Sequence, residues 1–480
     1  MRCSLEQRFF FAMKKHTIKS GLLFAGTIGF LLSLLMIELQ DRMEFKDVLM
    51  WRSLAVGGLM IYLWLTEAIE IYVTALLPLL CGMPLGIIDE LDIAKSYGNS
   101  NIYLFLGGFI IALALEKHDV HKQIAKRIIK VVGNSKSRLL LGFILSTGFL
   151  SMWISNTATA LMMLPMGLAV LSTIPKHNGK SKFSLFLLLS IAYSASVGGM
   201  ATLVGSPPNG IMASLIASEP YKIKIEFIDW MKIGVPLSLM MMLAVYFVFY
   251  FLMGKERNQK LDTESLGHEP WTKTQKKVLS IFVLAVVLWS FKSLIATYLH
   301  FDYQDLFPAM LCSILLFILP ENREKATKIL HWKDTVNIPW GILILFGGGI
   351  ALAKMLEANG VITIVADLFI QYKDLGAITI MMIVVTVAVF GTELMSNTAL
   401  VNVFIPVIAA FATQSDYSVI QLCVPVALAA SCAFMLPVGT PPNAIVFSSG
   451  EVRVSQMARY GFVLNVIAVL LIVMMATLFL

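Results

Sequence analysis

Two short polar words interrupt long apolar sequence, and each is written twice in the same order. Ser155-Asn156-Thr157 returns as Ser396-Asn397-Thr398. Gly205-Ser206-Pro207-Pro208-Asn209 returns as Gly439-Thr440-Pro441-Pro442-Asn443. The offsets, 241 and 234 residues, belong to one duplication. Flanking positions repeat as well: Phe149 and Ser151 match Phe390 and Thr392, Ala158 matches Ala399, and Pro165 matches Pro406. A weaker echo lies upstream, in Gly107-Gly108 and Gly347-Gly348. Two weakly similar halves, each with a polar break inside apolar sequence, form the pattern of a secondary transporter whose binding site is assembled from both breaks.

The solvent of such a chain is lipid. It is 58% hydrophobic and 14% charged, with a mean hydropathy of +0.80, where a soluble domain is roughly a quarter charged. Apolar runs of about 20 residues, the length of a membrane-crossing helix, occur throughout. The roughly ten-residue alternating segments of a β-barrel are absent. The expected fold class is therefore an all-α polytopic membrane protein. The net charge of +7 is then a topology signal and not a nucleic-acid footprint. Of five cysteines, Cys81, Cys312, Cys423 and Cys432 lie in apolar runs and Cys3 near the N-terminus. They read as small packing residues, not disulfide partners or metal ligands.

Spans are expected near 21–37, 51–66, 69–88, 101–117, 184–218, 230–253, 277–297, 306–319, 338–357, 418–449 and 460–480, which makes about eleven. The basic residues before 21–37 resemble a signal peptide, but no small-residue cleavage site follows, so a retained first helix starting in the cytoplasm is expected. Stretches 118–136 and 358–373 carry apolar residues at helical spacing, for example Ile124, Ile128 and Val131, and read as interfacial helices. Within the first of these, His118 and His121 read as surface residues.

Two further runs, 138–174 and 376–413, are too long for one span and too short for two. Residues 139–153 rise about 22 Å as a helix, short of a hydrocarbon core of roughly 30 Å. Each run is expected to be a re-entrant hairpin with its polar word at the tip. The first is flanked by Lys130, Lys136, Arg138, Lys176, Lys180 and Lys182, the second only by Lys373. The hairpins should thus enter from opposite faces, as in an inverted repeat. The N-terminus is then inside and the C-terminus outside a bacterial-type inner membrane, although Lys222, Lys224 and Lys232 fall on the outer side.

A broken helix at membrane depth survives only where protein or a wet cavity satisfies its backbone. Pro207-Pro208 and Pro441-Pro442 break the helix because proline lacks the donor and clashes with the preceding turn. The break frees carbonyl oxygens for a cation, and helix starts offer donors to an anion. Serine, threonine and asparagine add neutral oxygens suited to sodium, without the carboxylates expected for calcium. No Lys or Arg lies in the four motifs, so a dianion would bind well only after the cation, which couples the two. Glu67 and Glu70 fall at an expected loop. Glu393, beside the second tip, has two open readings: a structural hydrogen-bonding role, or an influence on the ion site. An intramembrane enzyme would need a nucleophile–base pair or a metal cluster, and neither spacing occurs. A passive channel is disfavoured by inverted broken helices, which point to alternating access.

At these residues the sequence resembles the divalent anion/sodium symporter family, the INDY-type dicarboxylate transporters. The resemblance covers nearly the whole chain. It implies eleven spans plus two opposed hairpins, a homodimer, and an elevator in which a transport domain moves against a fixed scaffold. Residues 1–137 and 255–375 would then form the scaffold, and 138–254 and 376–480 the transport domain. It further implies at least two sodium ions, one held by Ser151, Asn156 and Gly205, the other by Thr392, Asn397 and Gly439. Small dicarboxylate anions would meet Ser155, Asn156 and Thr157 from one tip and Ser396, Asn397 and Thr398 from the other. Ser206, Pro207, Thr440 and Pro441 would line the remaining wall. C4-dicarboxylates such as succinate, fumarate and malate are the expected substrates. Sulfate or citrate symport and sodium-independent exchange remain the alternatives.

Overall fold

The computed structural model describes residues 2–41, 48–172, 181–261, 270–322, 327–362, 364, 375–415 and 417–479. These residues are helical almost throughout. Their one sheet is a small antiparallel pairing of Pro320–Asn322 with Thr327–Lys328. The first half runs α1 (Arg2–Asp41), α2 (Val48–Thr66), α3 (Ile71–Thr74), α4 (Leu77–Cys81), α5 (Glu90–Tyr97), α6 (Ser100–Lys117), α7 (Val120–Val132), α8 (Lys136–Ser151), α9 (Asn156–Ser172), α10 (Lys182–Gly199), α11 (Pro207–Ala217) and α12 (Phe227–Met253). The second half runs α13 (Lys273–Ser290), α14 (Lys292–Leu299), α15 (Leu306–Ile318), α16 (Trp340–Ala358), α17 (Ala377–Gly391), α18 (Asn397–Gln414), α19 (Val419–Ala430), α20 (Pro441–Ser448) and α21 (Val454–Phe479).

Among the described residues, eight helices are long and apolar enough to cross a bilayer, and nine if the bent pair α13–α14 is one span. The remaining apolar helices are shorter because the sequence interrupts them. The run expected at 69–88 is two short helices and a turn, and the run at 277–297 bends by 76° between α13 and α14. Counting each broken helix once, α1, α2, α3–α4, α6, α10–α11, α12, α13–α14, α15, α16, α19–α20 and α21 correspond to the expected spans.

Both polar words fall where helices stop. Ser151 closes α8 and Asn156 opens α9. Gly391 closes α17 and Asn397 opens α18. The first pair folds back on itself, since a Cβ added to Gly167 on α9 would lie 3.8 Å from Phe143 on α8. Each outgoing arm carries an internal proline at the repeated place, Pro165 and Pro406. The two halves interlock reciprocally. Arm α9 packs on α20 of the other half, arm α18 packs on α11, and α12 packs on α21. Such exchange of partners is what an approximate two-fold axis produces. It brings each hairpin tip against the Pro-Pro helix of the opposite repeat.

The base of the first hairpin is clasped from outside. Glu256 Oε2 accepts from Ser181 Oγ at 2.6 Å and lies 3.5 Å from Lys136 Nζ, and Lys136 N donates to Gln259 O at 2.9 Å. Residues that follow α12 are therefore packed onto the start of α8.

Several expectations shift. The amphipathic helix at 118–136 exists as α7, but Val120, His121, Ala125 and Ile129 make its buried face, while Val131 is exposed. His121 is not a surface residue. It is buried, and its Nδ1 lies 2.8 Å from Leu115 O at the end of α6. Burial holds its imidazole below the usual range, against the pull of that carbonyl. His118 is half-buried, with Nε2 3.0 Å from Ile329 O. The apolar stretch 358–373 lies largely outside the described residues. Glu67 and Glu70 sit exposed in the turn between α2 and α3, as the loop reading expects. Cys312, Cys423 and Cys432 are buried free thiols, and Cys81 is half-buried.

Candidate functional site

Each hairpin tip is a capped helix start. Ser155 Oγ accepts from Ala158 N at 3.2 Å, and Ser396 Oγ accepts from Ala399 N at 3.2 Å. Capping satisfies the third N–H of each helix. It leaves the N–H groups of Asn156, Thr157, Asn397 and Thr398 at the positive end of a helix dipole, where an anion is favoured. Ser155 is exposed, while Asn156, Thr157, Ser396, Asn397 and Thr398 are partly exposed. Ser396 Oγ also lies 3.3 Å from Thr398 Oγ1.

Beneath the first tip lies a buried set of oxygens. Ser151 Oγ is fully buried, 2.7 Å from the Asn156 amide and 2.6 Å from Ala195 O. The same amide atom lies 3.1 Å from Ala195 O and 3.3 Å from Gly205 O. If that atom is nitrogen, it donates to the surrounding oxygens. If it is oxygen, the Ser151 hydroxyl, the amide and two carbonyls converge with only one proton among them. Turning one amide thus converts a self-satisfied cluster into a ring of neutral oxygens, the ligand set of a hard monovalent cation. Ser151, Asn156 and Gly205 do come together.

The second tip repeats the pair. Thr392 Oγ1 lies 2.8 Å from Asn397 Oδ1 and 2.8 Å from Ala430 O. Gly439 sits as Gly205 does, but among different neighbours. Each N–H donates three residues back, to Thr202 O at 3.3 Å and to Leu436 O at 3.2 Å; an added Cβ at Gly439 would meet Ala433 Cβ and Glu393 Oε2, each at 3.1 Å, where Gly205 faces Gly199 O and Met152 O. Ala195 and Ala430 enter the two clusters through their backbone carbonyls. Any residue has a carbonyl, so no sequence signal marks them.

The Pro-Pro breaks are braced identically. Asn209 Nδ2 donates to Gly199 O at 2.9 Å and Thr202 O at 2.8 Å. Asn443 Nδ2 donates to Ala433 O at 2.9 Å and Leu436 O at 3.0 Å. Each asparagine ties down two carbonyls that the break frees, and each is fully buried. The repeated words contain these asparagines, but their bracing role appears only in three dimensions. The Pro-Pro helices are not anion donors at their starts, because their first two residues, Pro207-Pro208 and Pro441-Pro442, have no N–H. Of the four motifs, the Ser-Asn-Thr tips are the ones whose helices start with N–H groups on their first two residues. Ser206 is buried and its Oγ lies 3.4 Å from Ser431 Oγ across the repeats. Thr440 is buried, and its Oγ1 has no hydrogen-bond partner among the described residues. Pro207 is partly exposed and Pro441 exposed. Gly199 was not foreseen. An added Cβ there would fall 2.9 Å from Asn156 Nδ2 and 3.0 Å from its Cγ, so only glycine leaves room for that amide.

Glu393 is the one acidic side chain in this region that the motifs did not absorb. It is 4% exposed. Its Oε1 accepts from Phe434 N at 2.7 Å, Met435 N at 2.8 Å and Asn465 Nδ2 at 2.8 Å, and its Oε2 from Leu436 N at 3.0 Å.

A cleft of about 570 Å³ runs along α9 away from the first tip. Ala158, Met162 and Met166 line one wall, and Glu116, Asp119 and Lys122, from the end of α6 and from α7, line the other. Its lining starts beside the tip, at Ile154 and Ala158, and ends at Met166 within α9.

The match to known proteins is broad. The family model described as the sodium:sulfate symporter transmembrane region matches residues 24–480. The chain is 37% identical over 470 residues to the sodium-dependent dicarboxylate transporter SdcS of Staphylococcus saprophyticus, covering 94% of this chain and 89% of that protein. It is 36% identical over 491 residues to SdcS of Staphylococcus aureus strain USA300, covering 96% and 92%. Among solved structures, the YdaH transporter of Alcanivorax borkumensis superposes with a TM-score of 0.58 at 10% identity, over 81% of this chain and 86% of its own. MtrF of Neisseria gonorrhoeae superposes with a TM-score of 0.57 at 9% identity, over 80% and 82%. Those two likenesses concern the fold alone. By the length of the family match and the identity of the Staphylococcus relatives, the chain belongs to the sodium:sulfate symporter family, the divalent anion/sodium symporters.

Proposed function

We propose that the protein is a sodium-coupled symporter of C4-dicarboxylates, and not an enzyme. The observation that carries this is the twinned site. Two buried hydroxyl–amide–carbonyl clusters each lie under an accessible helix start, and neither cluster contains a basic side chain. A cation in each cluster, at least two in all, would hold the Asn156 and Asn397 amides with oxygen inward. Each amide nitrogen then turns outward, where it can donate to a carboxylate. The cation thus both orients the anion's donors and supplies the positive charge the tips lack. Without it, an entering dianion meets only dipoles. The names of the Staphylococcus relatives support the dicarboxylate and the sodium.

Alternating access follows an elevator in this reading. Residues 138–254 and 376–480 move as the transport domain against a scaffold of 1–137 and 255–375. The mutual packing of α8–α12 with α17–α21 supports that division. The clasp at Glu256 and Gln259 carries the moving body a few residues past 254. The scaffold is where a homodimer would join. The base of the first hairpin is on the cytoplasmic side if the N-terminus is inside and the C-terminus outside. A cysteine label near Lys182 should then react only from the cytoplasm and one near Gln414 only from outside. Labelling of both from one face sinks the inverted arrangement.

The family model's own description favours a second reading, sulfate, which the same N–H groups can hold. Uptake of labelled succinate, citrate and sulfate into proteoliposomes, with and without a sodium gradient, decides between them. Succinate uptake that needs sodium is the expected result. Equal uptake in choline overturns the symport, and sulfate uptake in preference to succinate overturns the substrate.

A further inference from the structure

The two repeats are not electrostatically equal, and the inequality lies in one residue. Ser151 corresponds to Thr392, so the residue after each is the comparable one: Met152 in the first repeat and Glu393 in the second. The Glu393 carboxylate gathers three consecutive N–H groups, from Phe434, Met435 and Leu436, together with the Asn465 amide. The segment it grips connects Ala430, whose carbonyl is in the second oxygen cluster, to Gly439. Its Oε2 lies directly against Gly439, 3.1 Å from where a Cβ would stand. Thr392, its neighbour in the chain, supplies the cluster's hydroxyl. The carboxylate is therefore joined to the second cluster through the chain on both counts: it follows Thr392 directly, and it holds the segment that begins at Ala430. All four of its donors are neutral. They fix its position and spread its charge without cancelling it.

We propose that Glu393 is a positioning residue that makes the two cation sites unequal: it fixes the backbone of the second site and adds a formal negative charge behind it, so the second site fills at lower sodium concentration than the first. This rests on the sodium-coupled reading above. A fixed charge in a poorly solvated interior acts over several ångströms. The first cluster has only neutral oxygens and the thioether of Met152 in the corresponding place. The consequence is an order of binding: second site, then first site, then the anion.

The test compares Glu393→Gln and Glu393→Asp with the parent in purified protein and proteoliposomes. Two quantities are read: the sodium midpoint, from sodium-induced thermal stabilisation without substrate and from uptake, and the succinate KM at saturating sodium. Glu393→Gln removes the charge while keeping the size. Its sodium midpoint should rise on the order of tenfold, while the succinate KM stays within about twofold. Glu393→Asp keeps the charge but shortens its reach, so its midpoint should lie between the two. A residue that only held the fold together would move both quantities alike. An unshifted sodium midpoint in Glu393→Gln overturns the proposal, as does an equal loss of sodium and succinate affinity. If Glu393→Gln does not fold, Glu393→Asp carries the same test: a raised midpoint at parental KM supports the proposal, and an unaltered midpoint overturns it. Failure of both variants to fold assigns a purely structural role and overturns it too. A parent that shows no sodium dependence instead fails the symport reading, a separate outcome.

Discussion

The two breaks reach the same backbone shape by different means. In the first repeat, three further side chains donate to carbonyls around the break, and Thr202 Oγ1 also accepts from Gly205 N at 3.0 Å. Trp230 Nε1 donates to Met200 O at 3.0 Å, Thr202 Oγ1 to Met152 O at 2.5 Å, and Ser238 Oγ to Val197 O at 2.9 Å. In the second repeat, one carboxylate accepts from three consecutive N–H groups, beside the carbonyls that Asn443 holds. Helix α12 presses Gly234 onto Met200 and Ala201, and α21 presses Gly461 onto Phe434 and Met435. The close approach is therefore shared even where the hydrogen bonding is not. What the repeats hold in common to the atom is different: a hydroxyl on an amide beneath a capped tip, and an asparagine across two freed carbonyls. The common parts are the ones to which the proposed symport assigns the ligands, together with the brace of the break. Divergent parts are local answers to the same buried backbone, which must be satisfied one way or another.

The strongest way to break this comparison is to charge the shared part. Asn156→Asp or Asn397→Asp keeps an oxygen for a cation but removes the donor and puts a negative charge beside the dianion. Like charges about 4 Å apart repel by about 4 kcal/mol at an effective dielectric near 20, so succinate affinity should fall on the order of a hundredfold or more, at both tips alike. Sodium-dependent protection of an engineered cysteine should persist. Succinate transport at the parental rate in both variants would show that the tips do not form the site.

The next test sharpens the asymmetry. Gly199→Ala drives a methyl into the Asn156 amide, whereas the second repeat already carries Ala433 at the matching place. Overpacking of about 1–3 kcal/mol should weaken sodium binding on the order of tenfold, with little effect from Ala433→Gly. Equal responses would mean that the first amide has more room than its contacts allow.

Much of this was legible before any coordinate. Proline pairs cannot continue a helix, so both breaks were forced. A polar word in a run of the wrong length had to be a tip, and duplication named the partners. Hydroxyl, amide and glycine could be assigned because their side chains, or the lack of one, carry the signal. Ala195 and Ala430 could not, since a backbone carbonyl has no residue signature. Glu393 stood out as an intramembrane acid, but its partners lie 41 to 43 residues away as N–H groups of apolar residues. The bend between α13 and α14 and the buried face of α7 were missed for a related reason. Local periodicity shows which residues are apolar, not whether protein or lipid covers them, and so His121 went to the wrong side.

A third test probes the shared brace. Asn209→Ala and Asn443→Ala each remove the donor to two buried carbonyls; Thr202 O and Leu436 O keep a backbone N–H, from Gly205 and Gly439, while Gly199 O and Ala433 O lose theirs, at a cost of about 1–3 kcal/mol per unsatisfied group. Both should melt at lower temperature than the parent by similar amounts, read by thermal unfolding in detergent. A large drop in one repeat and none in the other would mean that the common geometry is not a common load.

The smallest structural change is at the tip hydroxyls. Thr157→Ala and Thr398→Ala each remove one hydroxyl from a partly exposed helix start and leave the N–H groups and the asparagine in place. A neutral hydrogen bond is worth about 0.5–1.5 kcal/mol and one to a charged group about 1.5–3, so succinate KM should rise by roughly twofold to 150-fold, with the sodium midpoint unchanged. The surroundings differ in one respect. Thr398 Oγ1 lies 3.3 Å from Ser396 Oγ, so part of its hydrogen-bonding capacity goes to its own tip. Its loss should sit at the low end of the range and that of Thr157 at the high end. If Thr398→Ala proves the more damaging, the dicarboxylate leans on the second tip. The donors that matter are then those on the side where Glu393 stands, not an even pair.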